Sequence, residues 1–187
     1  NLTVTQPSQG NRWIVNESNT IKWQRQGSIA NVTLAYSTNS GLNWTFISYA
    51  SGGSGDPGGF PWTVPTISGI ASPAAMIRVS DTLDSTVNDT SELFSIVPRF
   101  MMISPNETQK CAANRETSIS WNSLGYGASS PVYLYYSTNN FTLGSGIHKI
   151  NGTGVNGSHL NTGSCTWNVP DDLSNNVRVR VTYPDDE

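Results

Sequence analysis

The 187-residue chain has a net charge of −3, and only 12% of its residues are charged. This balance gives no basic patch for nucleic acid and no polybasic membrane signal. No apolar run approaches the ~20 residues of a membrane-spanning helix, and no signal peptide opens the sequence, which leaves open a removed signal, a mature product or a segment of a longer protein.

Residues 1–98 are predicted to form a β-sandwich. The first predicted strand alternates from Leu2 to Thr5, and in the third Val32, Leu34 and Tyr36 point to one face of a sheet. The seven predicted strands are 2–5, 20–23, 32–36, 44–47, 62–64, 75–79 and 92–97. So many short strands in one domain-sized segment are typical of two packed antiparallel sheets.

A tight hairpin is predicted between the third and fourth strands. Its sequence, Ser37-Thr38-Asn39-Ser40-Gly41-Leu42-Asn43-Trp44, resembles the Asp-box hairpin with Asn in place of Asp. The Asn39 side chain would organise the turn, Gly41 would allow a positive φ, and Trp44 would anchor the hairpin. The motif is a folding device and indicates nothing about catalysis.

The second half of the chain repeats the first with an offset of about 100 residues. Thr20-Ile21-Lys22-Trp23 recurs as Ser118-Ile119-Ser120-Trp121, and Tyr36-Ser37-Thr38-Asn39 recurs as Tyr136-Ser137-Thr138-Asn139. We therefore predict an all-β fold of two tandem immunoglobulin-like sandwiches, residues 1–98 and 99–187. Trp23 and Trp121 are predicted to lie in the two cores.

Asn-x-Ser/Thr sequons are unusually frequent. About four would be expected by chance in a chain of this composition. Nine are present, at Asn1, Asn16, Asn31, Asn43, Asn88, Asn106, Asn140, Asn151 and Asn156. They predict covalent N-glycans and an extracellular or cell-surface location.

Two cysteines, Cys111 and Cys165, fit the same compartment. In a secreted chain they predict one disulfide, with two free buried thiols as the alternative. The internal alignment sets Cys111 opposite Trp13 and Cys165 opposite Phe60, so the bridge would replace an aromatic contact of the first domain.

Sequence features of an enzyme are missing. His148 and His159 are the two histidines, and both lie in a region rich in Gly and Asn. No nucleophile elbow, metal-binding histidine pair or phosphate loop is present. We predict no catalytic residues, no cofactor and no metal; calcium at the acidic residues 171–172 and 185–187 is the weaker alternative to solvated turns.

Each domain resembles the β-sandwich repeats of microbial cell-wall and extracellular surface glycoproteins. Domain one carries the whole pattern, at Pro7 with Gly10 and at residues 20–23, 36–44, 62–65, 77–80 and 94–96. The fungal cell-wall immunoglobulin-like domains of the Kre9/Knh1 type are similar in the opening part. The resemblance implies an extracellular glycoprotein with a wall, matrix, adhesion or filament role.

Domain two departs from the pattern because it lacks a counterpart of Phe94-Ser95-Ile96. A sandwich without that last strand would expose unpaired backbone and apolar core, unless the strand was simply trimmed away. The short strand Leu2, Thr3, Val4 and Thr5 is the predicted donor, from the next molecule or the next repeat.

The leading hypothesis is therefore a structural subunit of an extracellular filament or surface layer, assembled head to tail with copies of itself or with adjacent repeats. The second is an adhesin or carbohydrate-binding module with Tyr133, Tyr135 and Tyr136 as the candidate surface aromatics, of which strand alternation should bury at least one. The third is the non-catalytic part of a secreted glycosidase, suggested by the Asp-box-like hairpin.

Overall fold

The computed structural model describes residues 1–53, 59–142 and 146–184. The chain divides into two compact units, Asn1–Pro98 (unit 1) and Arg99–Glu187 (unit 2). Each described unit is built from β-strands packed as two sheets, which confirms the predicted all-β sandwich fold.

The described residues of unit 1 form nine strands: β1 (Leu2–Gln6), β2 (Arg12–Ile14), β3 (Ser18–Arg25), β4 (Asn31–Ser37), β5 (Thr45–Ser51), β6 (Phe60–Thr63), β7 (Ser72–Asp81), β8 (Asn88–Thr90) and β9 (Phe94–Val97). One sheet has the order β1-β3-β6. The other has the order β2-β9-β7-β4-β5, with β8 also paired to β7. Strand β2 runs parallel to β9, and the other pairs are antiparallel.

Unit 2 contains seven strands among its described residues: β10 (Arg99–Ser104), β11 (Glu116–Leu124), β12 (Pro131–Ser137), β13 (Ile147–Ile150), β14 (His159–Leu160), β15 (Ser164–Asn168) and β16 (Arg178–Thr182). One sheet has the order β10-β11-β15. In the other, β12 pairs with β13, β14 and β16.

Alternation of apolar and polar residues decides which face of each strand is buried. In β7, Ala75, Ile77 and Val79 are fully buried, while the intervening Met76 and Arg78 are half-buried. Such strands bury one face against the opposite sheet and leave the other face to solvent. The core of unit 1 therefore lies between its two sheets.

The predicted core tryptophans are confirmed. Trp23 and Trp121 are each 1% exposed, and each indole N–H has an acceptor. Trp23 Nε1 donates to the Gly52 carbonyl (3.0 Å), and Trp121 Nε1 donates to Asn161 Oδ1 (2.8 Å). A buried indole needs such a partner because an unpaired buried N–H is costly.

The two units share irregularities as well as strands. The β1–β3 register shifts between Val4 and Gln6, and the β10–β11 register shifts between Met102 and Ser104. The hydroxyl of Ser72 donates to the Thr38 carbonyl at 2.7 Å, and that of Ser174 donates to the Thr138 carbonyl at 2.7 Å. These shared contacts fix which positions of the two units correspond.

Candidate functional site

All nine sequon asparagines lie at exposed positions, five in unit 1 and four in unit 2. Of the ten other asparagines, five are exposed and five are half-buried or buried. The exposed set is Asn1, Asn16, Asn31, Asn43, Asn88, Asn106, Asn140, Asn151 and Asn156. These residues are therefore open to solvent, where a bulky glycan has room, although Asn88 Nδ2 also donates to the Ser85 carbonyl at 2.9 Å.

Local hydrogen bonds at two of these asparagines leave the amide nitrogen available. Asn106 Oδ1 accepts from Thr108 N (3.1 Å) and from Thr108 Oγ1 (2.9 Å). Asn140 Oδ1 accepts from Arg178 Nε at 3.1 Å. In both cases the oxygen makes the contact, so a glycan on Nδ2 would leave these contacts in place.

The last sequon is different, because its third residue is buried. Asn156 is exposed and has a φ of 53°, but Ser158 is only 5% exposed. The Ser158 carbonyl also accepts from Gly154 N at 2.9 Å, which holds this loop closed. An enzyme that must contact the serine could do so only before this loop folds.

The hairpin of unit 1 has the predicted construction. Asn39 Oδ1 accepts from Asn43 N at 2.9 Å, and the buried Ser37 Oγ accepts from Gly41 N at 3.0 Å. Gly41 has a φ of 82°, and an added Cβ there would lie 3.3 Å from the Trp44 ring. The guanidinium of Arg78 lies 4.4 Å from the centre of that ring.

Unit 2 keeps the hairpin without its glycine and tryptophan. Ser137 Oγ accepts from Phe141 N at 3.0 Å, so Phe141 stands where Gly41 stands in unit 1. Phe141 adopts a left-handed φ of 56°, and its ring lies 4.6 Å from the Arg180 guanidinium. One phenylalanine thus takes both the turn position of the glycine and the cation contact of the tryptophan.

The predicted disulfide is not formed in this structure, where Cys111 and Cys165 are free, half-buried thiols. The alignment that supports this prediction implies a contact between Trp13 and Phe60 in unit 1. Instead, the Trp13 ring packs on Phe94 (4.8 Å) and Trp62 (5.8 Å). Burial raises the pKa of the Cys165 thiol, which disfavours the thiolate.

The two histidines are engaged in packing and hydrogen bonding. The His148 ring stacks on Tyr136 at 4.9 Å, and His159 Nε2 is 2.9 Å from the Ile150 carbonyl oxygen. Among the described residues, no group of three or more His, Cys, Asp or Glu side chains could hold a metal ion. The acidic residues 185–187 lie outside the described part of the chain.

An open cleft of about 540 Å³ lies beside Tyr136 and Trp167 in unit 2. The Tyr136 hydroxyl donates to Asp172 Oδ2 at 2.6 Å. Burial, followed by the hydrogen bond to Asp172 and its negative charge, raises the pKa of Tyr136 to about 12. This phenol therefore stays protonated and serves as a structural donor.

The predicted tyrosine surface is mostly buried. Tyr133 and Tyr136 are each 8% exposed, and Lys149 Nζ lies 3.7 Å from the centre of the Tyr133 ring. Sequence reasoning missed the more exposed aromatic pair, Phe46 (55%) and Tyr49 (65%), whose rings are 5.0 Å apart on β5.

Leu2, Thr3, Val4 and Thr5 belong to β1, which is already paired in its own sheet. The partners of Leu2 and Val4 in β3 are Arg25 and Trp23, and Leu2 is 2% exposed. Val4 N also donates to Asp89 Oδ2 at 2.7 Å, which ties β1 to β8. The donor role stays a prediction, and donation would require β1 to leave β3 and Asp89 of its own unit.

Strand β16 of unit 2 has one partner strand, β12, among the described residues. Its counterpart in unit 1 is β7, since Tyr36 lies opposite Ile77 and Tyr136 lies opposite Val179. Strand β7 has β4 on one side and both β8 and β9 on the other. The outer edge of β16 (the open edge) is thus the main difference between the units.

Comparisons with known proteins add little to this description. No protein family matches the chain, and no curated protein matches it. Among solved structures, the fibronectin(III)-like modules of CbhA from Clostridium thermocellum are similar, with 12% identity and a TM-score of 0.31 over 100% of this chain and 87% of that chain. The assignment to an all-β sandwich fold therefore relies on the strand pairing described above.

No described helix is long and apolar enough to cross a membrane.

Proposed function

We propose that this chain is an extracellular, N-glycosylated structural module of the microbial surface-glycoprotein type, which assembles head to tail into a filament or surface layer. The observation that carries the proposal is the exposure of all nine sequon asparagines. Their distribution over both units would place glycans along the whole module. Glycans at this density would cover much of the surface and protect an extracellular protein from proteases.

The low charge of the chain supports the same proposal. Charged residues make up 12% of the sequence, about half of what is usual in soluble domains. A surface with so few charges needs another source of hydration, and covalent glycans provide one.

A non-catalytic role is supported by the engagement of the reactive side chains. His148 stacks on Tyr136, His159 contacts the Ile150 carbonyl, and Tyr136 donates to Asp172. These contacts stabilise unit 2, so the two imidazoles and the phenol have structural roles.

Head-to-tail assembly is supported by the tandem repeat of one strand arrangement, since Tyr36 lies opposite Ile77 in unit 1 and Tyr136 lies opposite Val179 in unit 2. A contact between two unlike surfaces does not close on itself, so it would propagate into a fibre.

Two measurements on native material test the proposal. Glycopeptide mass spectrometry should find glycans at several of the nine sites, and electron microscopy should show continuous fibres or sheets. Variants Asn31→Gln and Asn106→Gln should each remove one glycan, while Asn122→Gln, an exposed asparagine outside any sequon, should remove none. Nine bare asparagines, or material that stays as dispersed monomers, would refute the corresponding half of the proposal.

A second candidate function is binding of carbohydrate by an adhesin-like module. The exposed pair Phe46 and Tyr49 favours it, because two neighbouring aromatic rings, tilted by 57° to each other, offer exposed apolar faces to a sugar ring. Glycan-array binding that is lost in both Phe46→Ala and Tyr49→Ala would support this function. Unchanged binding in both variants would exclude this pair as the site.

A further inference from the structure

The cleft of unit 2 has an apolar floor and an exposed rim. Its buried lining residues are Tyr136, Ile150 and Trp167, with the Tyr136 and Trp167 rings 5.3 Å apart. The exposed residues that line it include His148, Asn151, Thr166 and Asn168. Its volume of about 540 Å³ is that of a small-molecule site. A cleft with this lining suits a ligand that has both apolar faces and hydroxyl groups, such as a sugar.

His148 presents an aromatic ring at the rim of this cleft. Its ring stacks on Tyr136, with the ring centres 4.9 Å apart and the planes inclined by 20°. One face of the imidazole is therefore covered by the phenol, and because His148 is exposed, the other face is open to solvent. An open aromatic face packs well against the C–H groups of a sugar ring. In unit 1 the residue opposite Tyr36 is Thr45, so this ring is a feature of unit 2.

Asn151 brings a glycosylation sequon to the same cleft. It is the first residue after β13, the strand that carries His148, and both residues line the cleft. Three residues along a strand span about 10 Å, a length that the first two sugars of a glycan can cover. A glycan attached to Asn151 would therefore begin at the cleft and pass the open face of the His148 ring.

The loop after Asn151 holds its side chain and leaves its sequon accessible. Gly157 has a φ of 71°, and a Cβ added there would lie 2.6 Å from Asn151 Oδ1, so glycine lets the amide lie against the loop. Thr153, the third residue of this sequon, is exposed. Ser158, the third residue of the neighbouring Asn156 sequon, is only 5% exposed. Of the two sequons in this loop, the one at Asn151 is therefore open to a glycosylating enzyme in the folded protein.

We propose that the cleft of unit 2 holds the chain's own N-glycan on Asn151, with one of its first two sugars packed on the open face of the His148 ring. Thr166 and Asn168 offer hydrogen-bonding groups to the sugar hydroxyls. The glycan then covers Tyr136 and Trp167 from outside and becomes part of the fold. This inference rests on the proposed N-glycosylation.

The rate of enzymatic glycan release tests the inference on the native glycoprotein. A peptide-N-glycanase hydrolyses the side-chain amide that carries the glycan and converts asparagine into aspartate, so peptide mass spectrometry reports release at each site. Release at Asn151 should be about tenfold or more slower than at Asn106, because the cleft must first let go of the sugars. Asn106 is the control, since it is exposed in the same unit. In denatured protein the two rates should be equal.

A variant that borrows the unit 1 residue removes the aromatic face. His148→Thr places the counterpart of Thr45 opposite Tyr136, and the fold should tolerate it because the position is exposed. Release at Asn151 should then come within about twofold of release at Asn106. Hydrogen exchange of residues 131–137 should not change, which shows that β12 stays folded.

Nuclear magnetic resonance gives a second readout, which a glycan standing free in solvent would not move. The His148 ring protons should show nuclear Overhauser contacts to the glycan. Their signals should shift in Asn151→Gln and stay unchanged in Asn106→Gln.

The outcomes separate this inference from the proposed function. If all nine sequons are bare, the proposed glycoprotein and this inference both fail. If other sites carry glycans but Asn151 is bare, only this inference is overturned. Native release at Asn151 as fast as at Asn106 also overturns it, as does slow release that persists in His148→Thr.

Discussion

Replacing a matched pair of valines by alanine measures how far the core of unit 2 is uncovered. Val64 and Val169 occupy the same position, since their carbonyls accept from Asn16 N (2.9 Å) and Asn114 N (2.8 Å). Val64 is fully buried, whereas Val169 is only partly buried. In unit 1, Val15 N donates to the Val97 carbonyl at 3.0 Å, so the end of β9 is bonded next to the residue that pairs with Val64.

The expected costs differ because the two side chains are not equally shielded from water. Val64→Ala removes two buried carbons at about 0.8 kcal/mol each and leaves a cavity, for a loss of about 2 to 3 kcal/mol. Val169→Ala should cost about 1 kcal/mol, because its methyl groups are already partly hydrated. For a unit of this size, 1 kcal/mol corresponds to a shift in melting temperature of about 4 to 8 °C.

Thermal unfolding monitored by hydrogen exchange shows which of the two units loses stability in each variant. Leu34→Ala and Leu134→Ala are the controls, because both leucines are fully buried at matching positions. They should cost about the same, roughly 3 kcal/mol each. Equal costs for the two valine variants would mean that Val169 is covered in solution, and would refute the reasoning about the open edge.

Three further predictions follow from the hairpins, the phenol and the thiol. Gly41→Phe should destabilise unit 1 by about 2 kcal/mol or more, since its Cβ would lie 3.3 Å from Trp44. Phe141→Gly should change the stability of unit 2 by no more than about 1 kcal/mol, because the loss of the Arg180 contact is offset by relief of a left-handed φ. Equal losses in urea unfolding would contradict this account of the hairpins. The pKa of Tyr136 is raised to about 12, so the native state keeps a proton that the unfolded state releases, and unit 2 should lose stability as the pH rises from 10 towards 12. Asp172→Asn should lower this pKa. An ultraviolet titration of Tyr136 that is unchanged in this variant would contradict the role of Asp172. Because Cys165 is half-buried and its pKa is raised, it should be alkylated more slowly than free cysteine in solution at pH 7.5, at a rate that increases with pH. Peptide mass spectrometry measures this rate, and alkylation as fast as that of free cysteine would contradict the prediction.

The fold could be predicted because its signals are local. Alternating residues such as Val32, Leu34 and Tyr36 specify which face of a strand is buried, and all three are buried in β4. The hairpin was predictable for the same reason, since Asn39 and Gly41 set the turn within a few residues.

Features that depend on distant pairing could not be predicted. Strands β2 and β8 have three residues each, which is too short to show an alternating pattern in the sequence. They form because β2 pairs with β9 and β8 pairs with β7. The pairing of residues 2–5 with β3 is of the same kind, because it joins residues about 20 positions apart and no local pattern reveals it.

Phe141, which takes the position of Gly41 in the second hairpin, shows the limit of motif matching. The sequence lacks the glycine and tryptophan of the hairpin, yet the same serine and asparagine contacts form. The available signal was the alignment of Asn140-Phe141 with Ser40-Gly41, and Asn tolerates a positive φ well.

Amide hydrogen exchange of the dispersed protein tests most directly whether unit 2 is left with one side uncovered. The backbone of residues 178–182 should exchange about 100-fold faster than that of residues 76–80 in the same molecule, because β8 and β9 shield only the latter. Equal protection of the two strands in dispersed protein would contradict the open edge.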